Sequence, residues 1–536
     1  MRVEPIDISI EELEQLVEEA GRQALDSDGQ QKLRAAVRTL GTVAGLLAER
    51  GTTIQELRAL LVGYRSSEKI RKVLGDERTS KGGAGEDKTS IEEIRDKASQ
   101  KTGKRKGHGR NGASRYAGAD KVSVAHPQLK PKDRCPHCWK GRVYRLKDPQ
   151  SLVRIKGQPP IKATVYELET LRCNLCQEVF SAAAPEDAGQ DKYDPTAASM
   201  IAVLKYGSGV PFYRTARLET QLGIPLPAAT QWEIVEALAG SLQPVWEELI
   251  RQAAQGDIVH NDDTSMKILR FAREISDRRT GLFTSGIVSL CEGQRIALFF
   301  TGRRHAGENL AELLKRRASE LAPPIQMCDA LSRNAPGELR VVLANCLAHA
   351  RRHFVDVVNS FPVECRFVLE TLAEVFHQDD LARSQQLSPD DRLHLHQLQS
   401  LPLMEKLHRW CNRQFDERKV EPNSGLGKAI RYLLKHWQEL TLFLREPGAP
   451  IDNNVCERAL KKAILHRKNS LFYRTKNGAR VGDLFMSLIY TAELNGANPF
   501  DYLAHLQRHS EEVARAPACW LPWNYLATLF KSAKAA

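Results

Sequence analysis

The sequence predicts a multidomain α/β protein with a mixed-sheet core interrupted by a long helical insertion. Two patterns and the length carry this expectation. Asp257–Leu269, Gly281–Cys291 and Arg295–Thr301 read as three consecutive strands, followed by a helical stretch at Ala306–Ala318 and apolar strands at Ile325–Cys328 and Val341–Ala344. Residues 347–445 then turn mostly helical. At 536 residues the chain is too long for one ordinary domain.

The remaining elements follow in chain order. Region 1–63 is expected to be helical. Leu33, Val37, Leu40, Ala44 and Leu47 step by four and three, a heptad seam that suits either a self-packed hairpin or a zipper that makes a dimer or higher oligomer. Region 64–130 is rich in Gly, Ser, Lys and Arg and reads as a basic flexible linker. Region 131–190 reads as a zinc ribbon. Cys135 and Cys138 form one C-x-x-C knuckle, Cys173 and Cys176 another, with 34 residues between them. Two such knuckles close a tetrahedral site around one structural Zn²⁺, with no position left open for chemistry. Region 191–255 is helical; within it Tyr213–Val235 reads helix, turn at Gly223-Ile-Pro, helix, which suits a DNA-binding helix-turn-helix or a plain connector. The sheet core begins at 256–346, the insertion spans 347–448, a core helix lies in 449–497, and 498–536 is a C-terminal segment.

Composition narrows the function classes. No apolar run approaches the roughly 20 residues of a membrane helix, and MRVEPIDISIEELEQL lacks the form of a signal peptide. A soluble, intracellular protein without membrane partners is expected, its eleven cysteines read as metal ligands and core thiols. The net charge is +12, and Arg95–Arg134 alone holds twelve Lys/Arg against three Asp. Such a run suits phosphate contacts as well as a solvated linker. Within it Lys104, Arg105, Lys106 and Arg110 mix with glycines, as an arm lying in a DNA groove would.

The chemistry centres on Pro450–Tyr473. One acid, Glu457, precedes five cations: Arg458, Lys461, Lys462, Arg467 and Lys468. Asp262 and Asp263 stand side by side on the first strand, where alternation lets only one face a given site. Asp329 ends an apolar strand, where an acid is costly to bury unless paired or metal-bound. Three such carboxylates suit Mg²⁺, and two ions can drive in-line displacement at phosphorus. The plainer readings are a turn cap for Asp263, a loop cap for Asp329, and a capping box of Asn454 with Glu457, with Asp452 as an alternative cap.

Several segments together resemble the insertion-sequence-66 family of transposases, specifically its TnpC-like large subunit. V-H-N-D-D-T (Val259–Thr264), I-Q-M-C-D-A ending at Ala330, C-L-A-H-A-R-R-H-F (Cys346–Phe354) and D-N-N-x-x-E-R-A-L (Asp452–Leu460) carry the resemblance, with H-R-K-N-S-L-F (His466–Phe472). K-Y-G-S-G-V-P-F-Y-R (Lys205–Arg214), the C-x-x-C pairs, S-L-I (Ser487–Ile489), L-N-G (Leu494–Gly496) and L-P-W (Leu521–Trp523) extend it over most of the chain. The chain departs from the family pattern at Ala330-Leu331-Ser332, where a Tyr is usual, at Leu347, where a Trp is usual, and at Asp263, where a Glu is usual.

The resemblance implies a ribonuclease-H-like catalytic core whose Asp-Asp-Glu triad is Asp262, Asp329 and Glu457, with two Mg²⁺ or Mn²⁺ ions. It implies cleavage and strand transfer on an element's inverted repeats in the bacterial cytoplasm, at the nucleoid, with accessory proteins of the same element. Double-stranded DNA, both element ends and target, would be the partner. Arg458, Lys461, Arg467 and Lys468 are the expected phosphate contacts, with His349, Arg351 and Arg352 as further candidates. A catalytically silent zinc-ribbon regulator and a structure-specific nuclease are the rival functions.

Overall fold

The computed structural model describes residues 127–137, 140–144, 160–172, 179–185, 189, 191–271 and 279–535. The heptad seam, the basic arm with Lys104, Arg105, Lys106 and Arg110, and Cys138, Cys173 and Cys176 lie outside these residues. The described residues fall into two compact units that divide between Pro160 and Ile161. In the first, an isolated antiparallel bridge joins Arg134 to Arg142 beside Cys135. In the second, β1 (Thr170–Arg172) and β2 (Val179–Ser181) pair antiparallel.

The second unit then builds α1 (Pro195–Ala202), a π-helical turn at Val203–Gly207, α2 (Phe212–Gln221) and α3 (Ala228–Ala253). Gly223, at φ +79°, makes the bend between α2 and α3, and Pro227 caps α3. Helix α3 is 26 residues long and buries Val235, Leu238, Leu242 and Leu249, so most of it is core scaffold.

The sheet has five strands in the order β6-β5-β3-β7-β8: β3 (Ile258–Ser265), β5 (Phe283–Cys291), β6 (Gln294–Gly302), β7 (Ile325–Cys328) and β8 (Val342–Asn345). β3, β5 and β6 run antiparallel; β7 and β8 continue parallel to β3. This mixed α/β arrangement is compatible with a ribonuclease-H-like core. The expected strand 257–269 is two pieces: β3 ends at Ser265, and β4 (Ile268–Arg270) leaves to pair with β9 (Tyr473–Thr475). Helix α4 (Ala306–Leu314) crosses from β6 to β7.

After β8 come α5 (Leu347–Val357), α6 (Pro362–Ser384), α7 (Pro389–Leu395), α8 (Leu401–Asp416), α9 (Gly425–Lys435) and α10 (Trp437–Leu440). They share a core of their own, including Phe354, Leu369, Leu407 and Ile430, that continues onto Met327 of β7 and Ala344 of β8. Within it Asp379, fully buried, pairs with Arg383, Arg392 and His396. The chain returns through α11 (Asn454–Ser470), α12 (Lys476–Leu494), α13 (Pro499–Arg508), α14 (Ser510–Arg515) and α15 (Tyr525–Ala535).

Edge strand β6 is sealed by α12. The backbone N–H groups of Arg295, Ala297, Phe299 and Thr301 donate to Asn495, Thr491, Ser487 and Asp483 at 3.2, 3.0, 3.0 and 2.7 Å. Four residues of helix rise about 6 Å and two residues of strand about 6.6 Å, so the two ladders stay nearly in step. An exposed row of strand amides would otherwise template unwanted pairing. Ser487 and Asn495 belong to the S-L-I and L-N-G segments, which thereby gain a structural role.

Candidate active site

Three acids meet at the C-terminal end of β3. His260 of β3 is level with Met327 of β7, so Asp262 and Asp329 each lie two residues beyond that pair on neighbouring chain segments. Glu457 comes from α11, which packs against β3 and β5.

Position 263 faces elsewhere. The Asp263 carboxylate, 2% exposed, accepts from His305 Nδ1 at 2.8 Å and lies 3.3 Å from Arg333. Asp262 has no Lys or Arg partner among the described residues. Burial pushes its carboxyl up to about 7, and the negative charge of Asp329 adds to this. The Asp263 N–H, 2.8 Å from Oδ1, pulls the other way, and the charges of Asp263 and Glu457 push up again. Asp329 Oδ1 accepts from Leu331 N–H at 3.2 Å and from the Asn334 amide, so the loop-cap reading of this residue is present too.

The D-N-N turn sets the position of α11. Asp452 accepts from Asn454 N–H at 3.0 Å and from its amide at 2.8 Å. The Asn453 amide donates to Asn261 O on β3 at 3.1 Å, and its oxygen lies 3.1 Å from His260 Nδ1. Burial brings His260 down to about 4, so the ring is neutral and its Nδ1–H donates to that oxygen. The Asn453 N–H donates to Cys346 Sγ at 3.2 Å. The alternative capping box of Asn454 with Glu457 does not form: Asn453 stands at the cap position with no side-chain cap bond, and the Glu457 carboxylate lies 3.6 Å from His349 Nε2.

A glycine allows the helix its close approach. Gly286 on β5 is level with Asp262, and its carbonyl accepts from the Cys456 thiol at 3.3 Å. A Cβ at Gly286 would lie 3.0 Å from Leu460. The buried stripe of α11 is Cys456, Ala459, Leu460, Ala463 and His466.

The family follows from comparison of this sequence with known proteins. The pattern described as Transposase IS66 family matches residues 191–481, which span all three acids. The chain belongs to the IS66 transposase family. Relatives in Sinorhizobium fredii (strain NBRC 101917 / NGR234) bear the description "uncharacterized protein". One, y4jD, is 28% identical over 431 residues, covering 74% of this chain and 80% of the relative. Another, y4hP, is 24% identical, with 76% of each chain covered. Membership assigns a transposase-type role, with DNA as the partner that role implies.

The expected DNA contacts of this IS66 chain fall into two groups, exposed and engaged. Arg458, Lys461, Lys468 and Arg352 are exposed. Arg467 is engaged: its guanidinium donates to Thr264 Oγ1 at 3.0 Å and to Ser265 Oγ at 2.6 Å, tying α11 to the end of β3. Arg351 is buried at 6% exposure, because it lies on the inward face of α5. His349 stands against Glu457, and burial lowers its pKa while that acid raises it. Cys346, His349 and Glu457 each place one ligand-type atom within 4.8 Å of the others. Burial pushes the Cys346 thiol up to about 12, so it serves as a neutral acceptor for Asn453 rather than as a thiolate.

Sequence reasoning missed Asn453, Gly286 and Tyr432. Tyr432, on α9, lies near Asp329, and its hydroxyl meets the Ala330 backbone. The D-N-N spacing was the available signal for Asn453; nothing in the sequence pointed to Tyr432. No helix among the described residues is long and apolar enough to cross a membrane.

Proposed function

We propose that this chain is the DNA-cleaving and strand-joining subunit of an insertion sequence, with Asp262, Asp329 and Glu457 as its catalytic acids in a ribonuclease-H-like core. The observation that carries the reading is the convergence of three carboxylates from β3, the end of β7 and α11. Asp262, without a basic partner among the described residues and beside two other acids, is a costly arrangement unless a cation joins it. Oxygen-rich sites of this kind suit Mg²⁺ or Mn²⁺. Asp262, Asp329 and Glu457 would hold two such ions, which when bound supply charge neutralisation at the phosphate and activation of water or a 3′-hydroxyl.

The chain's own groups do the positioning. The Asn453 docking holds Glu457 beside β3. His349 Nε2 packs 3.6 Å from the Glu457 carboxylate and bounds one side of it. Arg458, Lys461 and Lys468 present charge to the DNA backbone from the outer face of the same helix. One structural Zn²⁺ on Cys135, Cys138, Cys173 and Cys176, with the basic arm at Lys104–Arg110, completes the DNA grip in this reading, and the N-terminal seam brings two copies together.

The test is Glu457→Gln in a supercoiled plasmid carrying the element's ends, with Mg²⁺. Cleavage should fall about 100- to 1000-fold, while mobility-shift binding to the ends stays within about threefold. Cleavage at the wild-type rate refutes the triad. Wild-type binding with no nicking would favour the regulator, and nicking without joining the nuclease.

A further inference from the structure

Two motifs outside the acid site meet in one cavity. Residues of the Lys205–Arg214 motif, Lys205 and Tyr213 among them, and of the His466–Phe472 motif line a space of about 1190 Å³, with Trp232 of α3, Arg270 of β4 and Arg474 of β9. Asn469 stitches the two motifs together, its amide donating to Gly209 O at 3.1 Å.

The lining mixes exposed aromatic rings with an excess of positive charge, and the Arg214 guanidinium lies 5.7 Å from the Tyr213 ring centre. Tyr213 is 59% and Phe472 38% exposed. Lys205 is buried at 7%; its ammonium donates to Ser470 Oγ at 2.7 Å and lies 5.1 Å from the Phe212 ring centre. No carboxylate among the described residues pairs with it, and burial pulls it down to about 8. Arg270 and Arg474 add exposed cations, against one acid, Glu236, which holds the Asn477 amide. His466 is 2% exposed, stacks 4.2 Å from Tyr473, and its Nδ1 has no hydrogen-bond partner among the described residues.

The backbone here is unusual on both sides. Lys205 and Tyr206 sit in the π-helical turn, a rare form found often at functional sites. Leu471 adopts φ +67°, which a branched side chain disfavours. Nothing in the acid site requires either feature.

We propose that this cavity receives an unpaired nucleotide of a DNA strand, its base stacked on Tyr213 and Phe472 and its phosphate held by Lys205, Arg270 and Arg474. The chemistry is that of single-strand binders, in which aromatic rings take bases and cations take the backbone. An extruded base also needs a pocket that admits it whole, which a space of about 1190 Å³ provides. The proposal rests on the reading of the chain as a DNA-acting protein, but not on its cleavage chemistry.

The experiment is fluorescence anisotropy without added Mg²⁺ or Mn²⁺, with the full chain and two labelled probes: dodecathymidylate and a strand of the same length with abasic sites throughout. Wild type should bind the thymidylate about tenfold more tightly than the abasic strand. Tyr213→Ala and Phe472→Ala, at exposed positions, should each remove most of that preference and leave abasic binding unchanged. Arg474→Ala should weaken both probes alike. Equal binding of the two probes by wild type, or a preference that survives both aromatic substitutions, overturns the proposal. So does free thymidine monophosphate binding as tightly as the strand, since the cavity would then serve a mononucleotide. Because no Mg²⁺ or Mn²⁺ is added, loss of cleavage in the Glu457→Gln test and loss of base preference here are separate outcomes.

Discussion

Gly286→Ala should slow cleavage without unfolding the core. The added Cβ would lie 3.0 Å from Leu460 Cδ2, 3.1 Å from Leu460 Cγ and 3.6 Å from Cys456 Sγ. Carbon atoms prefer about 3.5–4.0 Å, so helix or side chain must yield by roughly half an ångström. Leu460 is 3% exposed and has little room to turn away. The overpacking should cost about 1–2 kcal/mol. Cys456 immediately precedes Glu457, so a retreat of α11 draws that acid away from Asp262. A misplacement of about 1 Å can lower a rate about 100-fold, and half of it should lower plasmid cleavage about tenfold. Gly240→Ala is the control: it lies within α3 with nothing within 4 Å of an added Cβ. That variant should gain about 0.5–1 kcal/mol and cleave normally. Urea unfolding and Mg²⁺-dependent plasmid cleavage read the two effects. If Gly286→Ala cleaves like wild type, the close approach of α11 does not limit the site.

Two further substitutions probe the seal on β6. Thr491→Val keeps the shape but leaves both the N–H and the C=O of fully buried Ala297 without their partner, so it should cost about 2 kcal/mol; Thr491→Ser should stay near wild type, and amide exchange in Gln294–Gly302 matching between Val and Ser variants would contradict this. Burial pushes the Asp483 carboxyl up to about 7 against the two hydrogen bonds from Thr301. Between about pH 4 and 7 the unfolded chain therefore sheds a proton that the native state keeps, so this group's stabilisation is full at low pH and is lost as pH rises through 7. Asp483→Asn should flatten that slope, its Tm advantage over wild type growing from pH 5 to 8; parallel Tm curves would show that the group does not titrate there.

Much of the core was legible because strands and helices carry their own periodicity. The strands at Phe283–Cys291, Gln294–Gly302 and Ile325–Cys328 match alternating or apolar runs within a residue or two. The break at Met266-Lys267 was not legible, since β4 remains extended and only its partner changes, from β5 to β9. Asp263 and Asp262 were indistinguishable by composition; which of them meets His305 and which meets the other acids depends on the sheet's two faces. The cationic stripe of α11 looked uniform, yet Arg467 is spent on the end of β3 while Lys468 is exposed.

The strands and helices of the sheet core, the family and the candidate acids rest on local periodicity and on residue spacing within short motifs, and so could be read from the chain. What lies beside what depends on the folded chain. Asp262 and Glu457 are 195 positions apart in the chain. Their meeting depends on the close packing of α11 on Gly286 and on Asn453 docking to β3. The same holds for the aromatic and basic cavity, which is lined by two motifs more than 250 residues apart. Side-chain packing between distant segments sets such contacts, and no local pattern encodes them.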